Sequence, residues 1–162
     1  MSIDDLINSA LKERGGVLDA ANLYALVGDT RTGELFVLNL QDFFIDNLEY
    51  FRNGEETWII LIGAYATEEA ARVAIKTLND EKPLGDGLIV SPEFHILLGN
   101  AKENKLFVLP LKEYYIGYLG LFLYKVDSGN VAISIFNTRD AAEDAIDMIR
   151  TLIMDERGNS II

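Results

Sequence analysis

The spacing of apolar positions along the chain predicts three helices. In each of them apolar side chains recur three and four positions apart, which is the spacing of one helix face. Each also begins at a hydroxyl residue that can act as an N-cap. These N-cap residues are Ser2, Thr67 and Thr138. The first helix is predicted over 3–14 and ends at a glycine pair, and the second is predicted over 67–81.

Apolar runs between these helices predict four strands in each half of the chain. Turn-forming residues separate neighbouring runs and predict antiparallel hairpins. The predicted strands are 23–27, 35–40, 48–52 and 58–65, followed by 94–98, 106–111, 121–126 and 131–136. The run 58–62 is apolar at every position, which predicts a central strand covered on both faces. Segments 41–47 and 112–118 fit either a short helix or an extended bend.

The two halves of the chain align with each other at a constant offset of 71 positions. Residues 23–82 match residues 94–153 without a gap, and 16 of the 60 aligned positions are identical. This self-similarity predicts an α+β fold made of two copies of one four-stranded antiparallel unit. We expect the order α-ββββ-α-ββββ-α and a pseudo-twofold axis between the copies.

Segments outside the repeats complete the predicted organisation. Residues 1–22 form the N-terminal helix and lead-in, 83–93 form a linker, and 154–162 form a C-terminal tail. Gly28 and Gly99 match in the two copies, and we interpret both as turn residues that need a positive φ. Neither they nor the linker glycines form a phosphate-binding loop, because no lysine and helix follow them.

Composition narrows the candidate chemistry. The chain carries 26 acidic and 14 basic residues for a net charge of −12, and it has no cysteine. Thiol chemistry and cysteine-ligated metal sites are therefore excluded. Such an acidic surface repels nucleic acids and anionic membranes, so we expect neither as a partner. The N-terminus does not resemble a signal peptide and no run is long enough to span a membrane, so we expect a cytoplasmic location.

The candidate catalytic residues are few. His95 is the single histidine, which argues against multi-histidine metal sites, and we expect no catalytic residue, cofactor or metal. Acidic side chains concentrate in the first copy, where they form either a solvated edge or an acidic face for a basic partner. This acidic face consists of Asp29, Asp42, Asp46, Glu49, Glu55 and Glu56.

The second copy replaces several of these polar positions with apolar residues or glycine. Tyrosine and large aliphatic side chains are typical anchors of protein interfaces, so the region is a candidate interface. The candidate interface residues are Tyr114, Tyr115, Tyr118, Leu121, Leu123, Tyr124 and Val126. Two interpretations remain open. Either the N-terminal helix, the tail at 160–162 or the first copy buries the region, or a second molecule of the chain or a partner protein covers it.

These observations favour a non-enzymatic protein-interaction function over catalysis. The types that fit are an inhibitor or immunity-like antagonist of a basic enzyme, a chaperone-like partner, and a subunit of an oligomeric assembly. One alternative is a small-ligand-binding protein or carboxylate-based enzyme with its site at the seam between the repeats. Another is a self-assembling structural component of the kind found in virions. No motif in the sequence identifies a family.

Overall fold

The computed structural model describes residues 2–55, 57–79 and 87–161, which form five helices and six strands. The helices are α1 (Ile3–Arg14), α2 (Leu40–Asn53), α3 (Glu68–Asn79), α4 (Leu111–Leu123) and α5 (Arg139–Ile161). The strands are β1 (Tyr24–Asp29), β2 (Leu35–Asn39), β3 (Ile59–Tyr65), β4 (His95–Asn100), β5 (Lys105–Pro110) and β6 (Asn130–Phe136). The predicted α+β class and the antiparallel pairing are confirmed. The C-terminal residues 154–161 continue α5.

The order β-β-α-β-α occurs twice after α1. The elements β1, α2, β3 and α3 begin 71 positions before β4, α4, β6 and α5, which is the offset of the sequence alignment. Each unit contains one three-stranded antiparallel sheet, ordered β2-β1-β3 in the first and β5-β4-β6 in the second. The prediction of four strands per unit is therefore wrong, and the predicted second hairpins do not form.

The missing strands are parts of α2 and α4. Segment 48–52 lies within α2, and segment 121–126 begins in the last turn of α4. Aromatic and aliphatic residues in these short segments suggest strands when the segments are read alone. Across the whole of α2 the buried positions instead follow helical spacing. The buried residues of α2 are Leu40, Phe43, Phe44, Asn47, Leu48 and Phe51. The open choice at 41–47 and 112–118 is thus resolved in favour of helix.

The strand β3 is buried as expected, but it lies at the edge of its sheet and is not central. A short segment covers that edge, because the N–H of Ile89 donates to the carbonyl of Ala64 at 2.8 Å. In the second sheet the N–H of Leu18 donates to the carbonyl of Ile135, also at 2.8 Å. The segment that precedes each unit thus covers one edge strand of the other unit, which blocks pairing with another chain at the β3 and β6 edges.

The two sheets share one core, because the middle helix of each unit packs on the sheet of the other unit. Helix α2 packs mainly on β6, while α4 packs mainly on β3. The outer faces of the sheets are covered by α3 in the first unit and α5 in the second. Helix α1 adds a further contact on one side only, where it packs against α2 and α5.

Gly28 and Gly99 lie inside β1 and β4, and neither has a positive φ. The interpretation of these glycines as turn residues is therefore wrong. A Cβ on Gly28 would stand 2.6 Å from Cδ2 of Phe122, and a Cβ on Gly99 would stand 2.6 Å from Cδ1 of Phe51. Each glycine instead makes room for an aromatic ring from the middle helix of the other unit.

The predicted starts of the helices at Ser2, Thr67 and Thr138 are confirmed. The Ser2 hydroxyl accepts a hydrogen bond from the N–H of Asp5 at 3.1 Å, and the Asp5 carboxylate accepts from the Ser2 N–H in return. Thr67 and Thr138 accept from the N–H groups of Ala70 and Ala141 at 3.1 and 3.2 Å. These caps satisfy N–H groups that have no partner within the helix.

Candidate protein-binding surface

Helix α4 is fixed on the first sheet by two tyrosines on its inner side. The Tyr114 hydroxyl donates to the carbonyl of Leu61 at 2.8 Å, and the Tyr115 hydroxyl donates to the carbonyl of Ile89 at 3.0 Å. Tyr115 also accepts a hydrogen bond from the N–H of Ala64. Both rings are buried in the shared core, so these two candidate interface residues act within the fold.

Tyr118 and Leu121 occupy the border between the buried and exposed sides of α4, where each is half-buried. The Tyr118 hydroxyl accepts a hydrogen bond from the side-chain amide of Asn130 at 2.9 Å. Burial raises the pKa of Tyr118 and of Tyr115, and raises the pKa of Tyr65 on β3 to about 12. The three phenols therefore stay protonated to higher pH than an exposed tyrosine does, and those of Tyr115 and Tyr118 act as hydrogen-bonding groups.

The outer side of α4 and the turn after it expose large apolar side chains. Ile116 is 69% exposed, Leu123 is 56% exposed and Tyr124 is 83% exposed. Val126 is also exposed. Gly117 and Gly120 lie on the same side of the helix, and a Cβ at either position would meet nothing within 4 Å. We call this surface the α4 face. It is apolar, and the glycines leave its middle flat.

A groove of about 430 Å³ runs along one side of the α4 face. Its walls are the helix itself and the segment that leads from Leu88 to Pro92. The lining residues are Leu88, Val90, Ser91, Pro92, Lys112, Tyr115, Ile116 and Leu119. Lys112 is the one charged residue in this lining, and it is exposed. Within the described part of the chain it makes no hydrogen bond or ion pair.

On the other side of the molecule, α1 covers the counterpart of this groove. The counterparts of Lys112 and Leu119 at the offset of 71 are Gln41 and Leu48. Lys12 of α1 donates to Gln41 at 2.6 Å, and Leu48 is 2% exposed in the cluster that holds the apolar side of α1. No described helix covers α4 in this way. The second unit therefore presents an open surface on α4 where the first unit has a filled one on α2.

An ion pair joins α1 to the C-terminal end of α2, at one end of the covered groove. Arg52 on α2 donates to both carboxylate oxygens of Asp4 on α1, at 3.2 and 3.0 Å. The Asp4 side chain is only 3% exposed, so the pair is largely shielded from water. Leu123 is the counterpart of Arg52, and its exposure reflects the absence of an α1 equivalent above α4 in the described chain.

The acidic face follows the exposed side of α2. Asp42, Asp46 and Glu49 lie on successive turns and are exposed, and Glu55 is exposed just beyond the helix. Partial burial, together with the charge of Asp42, raises the pKa of Asp46. Glu56 lies outside the described residues.

Asp29 stands apart from this helix, at the end of β1. Its carboxylate accepts hydrogen bonds from the N–H of Arg31 at 2.8 Å and from the Arg31 guanidinium. Burial alone would raise the pKa of Asp29, but these bonds outweigh it and hold the pKa below its usual value. The sequence-defined acidic face is therefore an exposed row on α2 with Asp29 engaged in its own turn.

The described residues contain no group of three or more side chains that could hold a metal ion. His95 lies beside solvent, and its Nδ1 is 2.8 Å from the carbonyl oxygen of Glu93. Side chains of the shared core fill the seam between the units. In the described part of the molecule, no buried side-chain polar atom lacks a hydrogen-bond partner. The open apolar groove is thus the most distinctive surface feature of the fold.

Sequence reasoning missed three parts of this surface, namely Ile116, Lys112 and the segment 88–92. Reading 111–123 as one helix would have placed Ile116, Gly120 and Leu123 on the same side, four and three positions apart. That reading would have separated the outer positions from the buried Tyr114 and Tyr115. The contribution of segment 88–92 depends on a tertiary contact that no local pattern encodes.

No family model matches the chain, and none of the curated proteins or solved structures compared with it is significantly similar. Within the described ranges, none of the helices combines the length and apolar character needed to cross a bilayer.

Proposed function

We propose that this chain is a non-enzymatic protein-interaction module that binds a protein partner through the α4 face. The observation that carries the proposal is the cluster of exposed Ile116, Leu123 and Tyr124 beside an open apolar groove. A contiguous apolar patch on a soluble protein marks an interaction surface, and exposed tyrosine is typical of binding hot spots. The acidic row on α2 forms a second, separate surface that steers a basic partner.

The pairing of units supports this division of roles. In the proposed duplication, two ββαβα units are related by a pseudo-twofold axis. Residues at equivalent positions are then expected to have had the same structural role before the two units diverged. The positions on α2 that remain exposed carry Asp46 and Glu49, whereas the α4 counterparts are Gly117 and Gly120. Polar residues keep the first surface in water. Their replacement on α4 favours contact with another protein, in the cytoplasmic setting that we propose.

The test is a quantitative capture of proteins from a lysate of the source cells. The bait is the tagged chain, and the variant is Leu123→Arg with Tyr124→Asn, which installs the residues found at the α2 counterparts. Both side chains are exposed, so we expect the thermal midpoint to be unchanged. The control variant, Asp42→Asn with Glu49→Gln, alters the acidic row and leaves the α4 face intact.

Support requires that a protein captured by the wild type be lost with the α4 variant and kept with the control variant. Self-association that the α4 variant abolishes, measured by sedimentation velocity, supports the same surface with a second copy as the partner. Identical capture by both variants would contradict the proposal. Loss with the acidic-row variant alone would assign binding to α2 and overturn the role of the α4 face.

A further inference from the structure

We infer that the groove beside α4 binds an amphipathic helix of a partner protein, antiparallel to α4, with an acidic side chain against Lys112. This inference rests on the proposed function and specifies its partner. The fold itself supplies the template, because α1 packs on α2 at the equivalent position of the other unit. A helix laid in an apolar groove is a recurrent mode of peptide recognition.

The direction of the partner helix follows from the contacts of α1. Asp4 at the start of α1 pairs with Arg52 at the end of α2, while Lys12 near the end of α1 meets Gln41 at the start of α2. The two helices are therefore antiparallel. Ile7 and Leu11 lie between these polar contacts and are fully or almost fully buried. A helix of about three turns spans this distance.

The required chemistry follows from the differences between the two grooves. Leu123 replaces Arg52, so the partner needs an apolar residue where α1 has Asp4, since a carboxylate buried there would have no cation. Lys112 replaces Gln41, so the partner gains from an acidic residue where α1 has Lys12. The middle of the groove keeps the apolar character of its counterpart, as Ile116 matches Ile45 and Leu119 matches Leu48.

The same comparison argues against α1 from a second copy as the occupant. That helix would place Asp4 against Leu123 and Lys12 beside Lys112. The first contact buries an unpaired charge, and the second brings two positive charges together. Both disfavour the complex, so an exchanged α1 is a poor match for the groove.

A pair of synthetic peptides tests these requirements. Both carry the α1 sequence of residues 2–14 with a fluorescent label, and one also carries Asp4→Leu and Lys12→Glu. Binding to the full-length chain is measured by fluorescence anisotropy at low salt. We expect the substituted peptide to bind at least about tenfold more tightly, since it removes one buried charge and one repulsion. A third peptide that adds Ala10→Pro to these changes should lose binding, because proline breaks a helix.

Charge reversal on the protein separates this mode from general adhesion of an apolar peptide. Lys112→Glu should weaken the substituted peptide and strengthen a peptide that carries Asp4→Leu alone, which keeps Lys12. The control Lys76→Glu, on the exposed side of α3, should change neither affinity by more than about twofold. Lys112 is exposed, so its reversal leaves the fold intact.

Equal affinity for the substituted and unsubstituted peptides would overturn the inference, as would tight binding of the proline peptide. In the Lys112→Glu variant, a persistent preference for the doubly substituted peptide over the peptide with Asp4→Leu alone would also overturn it. These failures differ from failure of the proposed function. Suppose that capture of a partner depends on Leu123 and Tyr124 but that the peptides do not bind as expected. The α4 face would then remain the binding surface, and a helix would be excluded as its occupant.

Discussion

The helices α2 and α4 occupy equivalent places in the two units but face different surroundings. Each packs its inner side on the sheet of the other unit and sets one aromatic ring over a glycine of that sheet. On the outside, α2 is partly covered by α1 and is otherwise acidic, whereas no helix among the described residues covers the apolar outer side of α4. The shared inner side therefore preserves the fold, while the outer side is free to acquire a function.

The inner sides also differ in one chemical respect. Asn47 of α2 donates to the carbonyl of Ala132 at 2.8 Å, and Tyr114 of α4 donates to the carbonyl of Leu61 at 2.8 Å. These two carbonyls are counterparts beside matching irregularities in the strand register. Different side chains from different helix positions therefore satisfy the same buried acceptor. This solution places the buried hydroxyls of Tyr114 and Tyr115 on the α4 side.

Alkaline pH should weaken the core contacts of α4 much more than those of α2. Burial raises the pKa of Tyr114 and Tyr115 above the ordinary value of 10.0, whereas their counterparts Phe43 and Phe44 do not titrate. The unfolded chain loses these phenol protons at a lower pH than the folded chain does. The contribution of the two tyrosines to the free energy of unfolding is therefore fully present below pH 10, and it falls as the pH rises toward their pKa values in the folded chain. Each tyrosine contributes up to about 1.4 kcal/mol per pH unit. Urea unfolding at pH 9, 10 and 11 measures the loss.

The variant Tyr115→Phe, which copies the α2 counterpart, should lose one hydrogen-bonding hydroxyl at pH 7 and show a shallower fall above pH 10. An unchanged slope in this variant would mean that Tyr115 ionises as freely in the folded chain as in the unfolded one. That result would contradict its burial at the α4–sheet contact.

The reciprocal glycine–phenylalanine contacts should respond equally in the two units. We expect Gly28→Ala and Gly99→Ala each to lower the free energy of unfolding by about 2–3 kcal/mol, because the new methyl group overlaps the ring of Phe122 or Phe51. Chemical denaturation measures both values. The control Gly117→Ala should instead stabilise α4 by about 0.5–1 kcal/mol, since it lies within a helix with open space around it. A harmless substitution at Gly28 would refute the close packing of Phe122.

The ion pair between α1 and α2 should contribute to stability, whereas the equivalent position on α4 should not. Asp4→Asn removes the charge from the Asp4–Arg52 pair, and we expect a loss of about 1.5–2 kcal/mol in unfolding free energy. The comparison variant Leu123→Ala, at the counterpart of Arg52, should change stability by less than about 0.5 kcal/mol. Similar losses at both positions would mean that Leu123 is a core residue, against the exposed position it has in the fold.

The smallest expected effect concerns the acidic row itself. The pKa of Asp46 is raised by burial and by the charge of Asp42, so its ionised form weakens the fold. Asp46→Asn should therefore stabilise the chain by about 0.3 kcal/mol at pH 7, as expected for relief of a like-charge pair on one helix face. The gain should vanish at pH 3, because the raised pKa of Asp46 leaves its carboxyl protonated there. Thermal unfolding at the two pH values measures the difference, and a loss of stability at pH 7 would contradict the repulsion.

Local patterns were sufficient for the elements that interact with their own neighbours. The helices α1, α3 and α5 have clear caps and apolar stripes, and the hairpins of β1 with β2 and β4 with β5 have turn residues between matched strands. The identity of Ala70, Ala71 and Ala74 with Ala141, Ala142 and Ala145 also reports the recurring unit. All of these signals lie within one element or one repeat.

The remaining elements could not be predicted from local patterns, because they pack on the other unit. Helices α2 and α4 bury aromatic residues against the other unit. These aromatic residues are typical of strands, and they cover a broad side of each helix, so the helical spacing is hard to recognise in the sequence. Gly28 was misread for the same reason, since Phe122 is distant in sequence. The apolar character of 114–126 pointed to the correct region. It did not separate the buried Tyr114 from the exposed Tyr124, because that distinction requires the direction of the helix.

Binding through the α4 face can be observed by methyl NMR of the chain in complex with the protein that the α4 variant fails to capture. Ile116 and Leu119 on α4 have matched reporters in Ile45 and Leu48 on α2, within the same molecule. The account predicts large shifts of the Ile116 and Leu119 methyl signals and unchanged signals for Ile45 and Leu48. Shifts confined to the α2 pair, or equal shifts for both pairs, would contradict the assignment of binding to the α4 face.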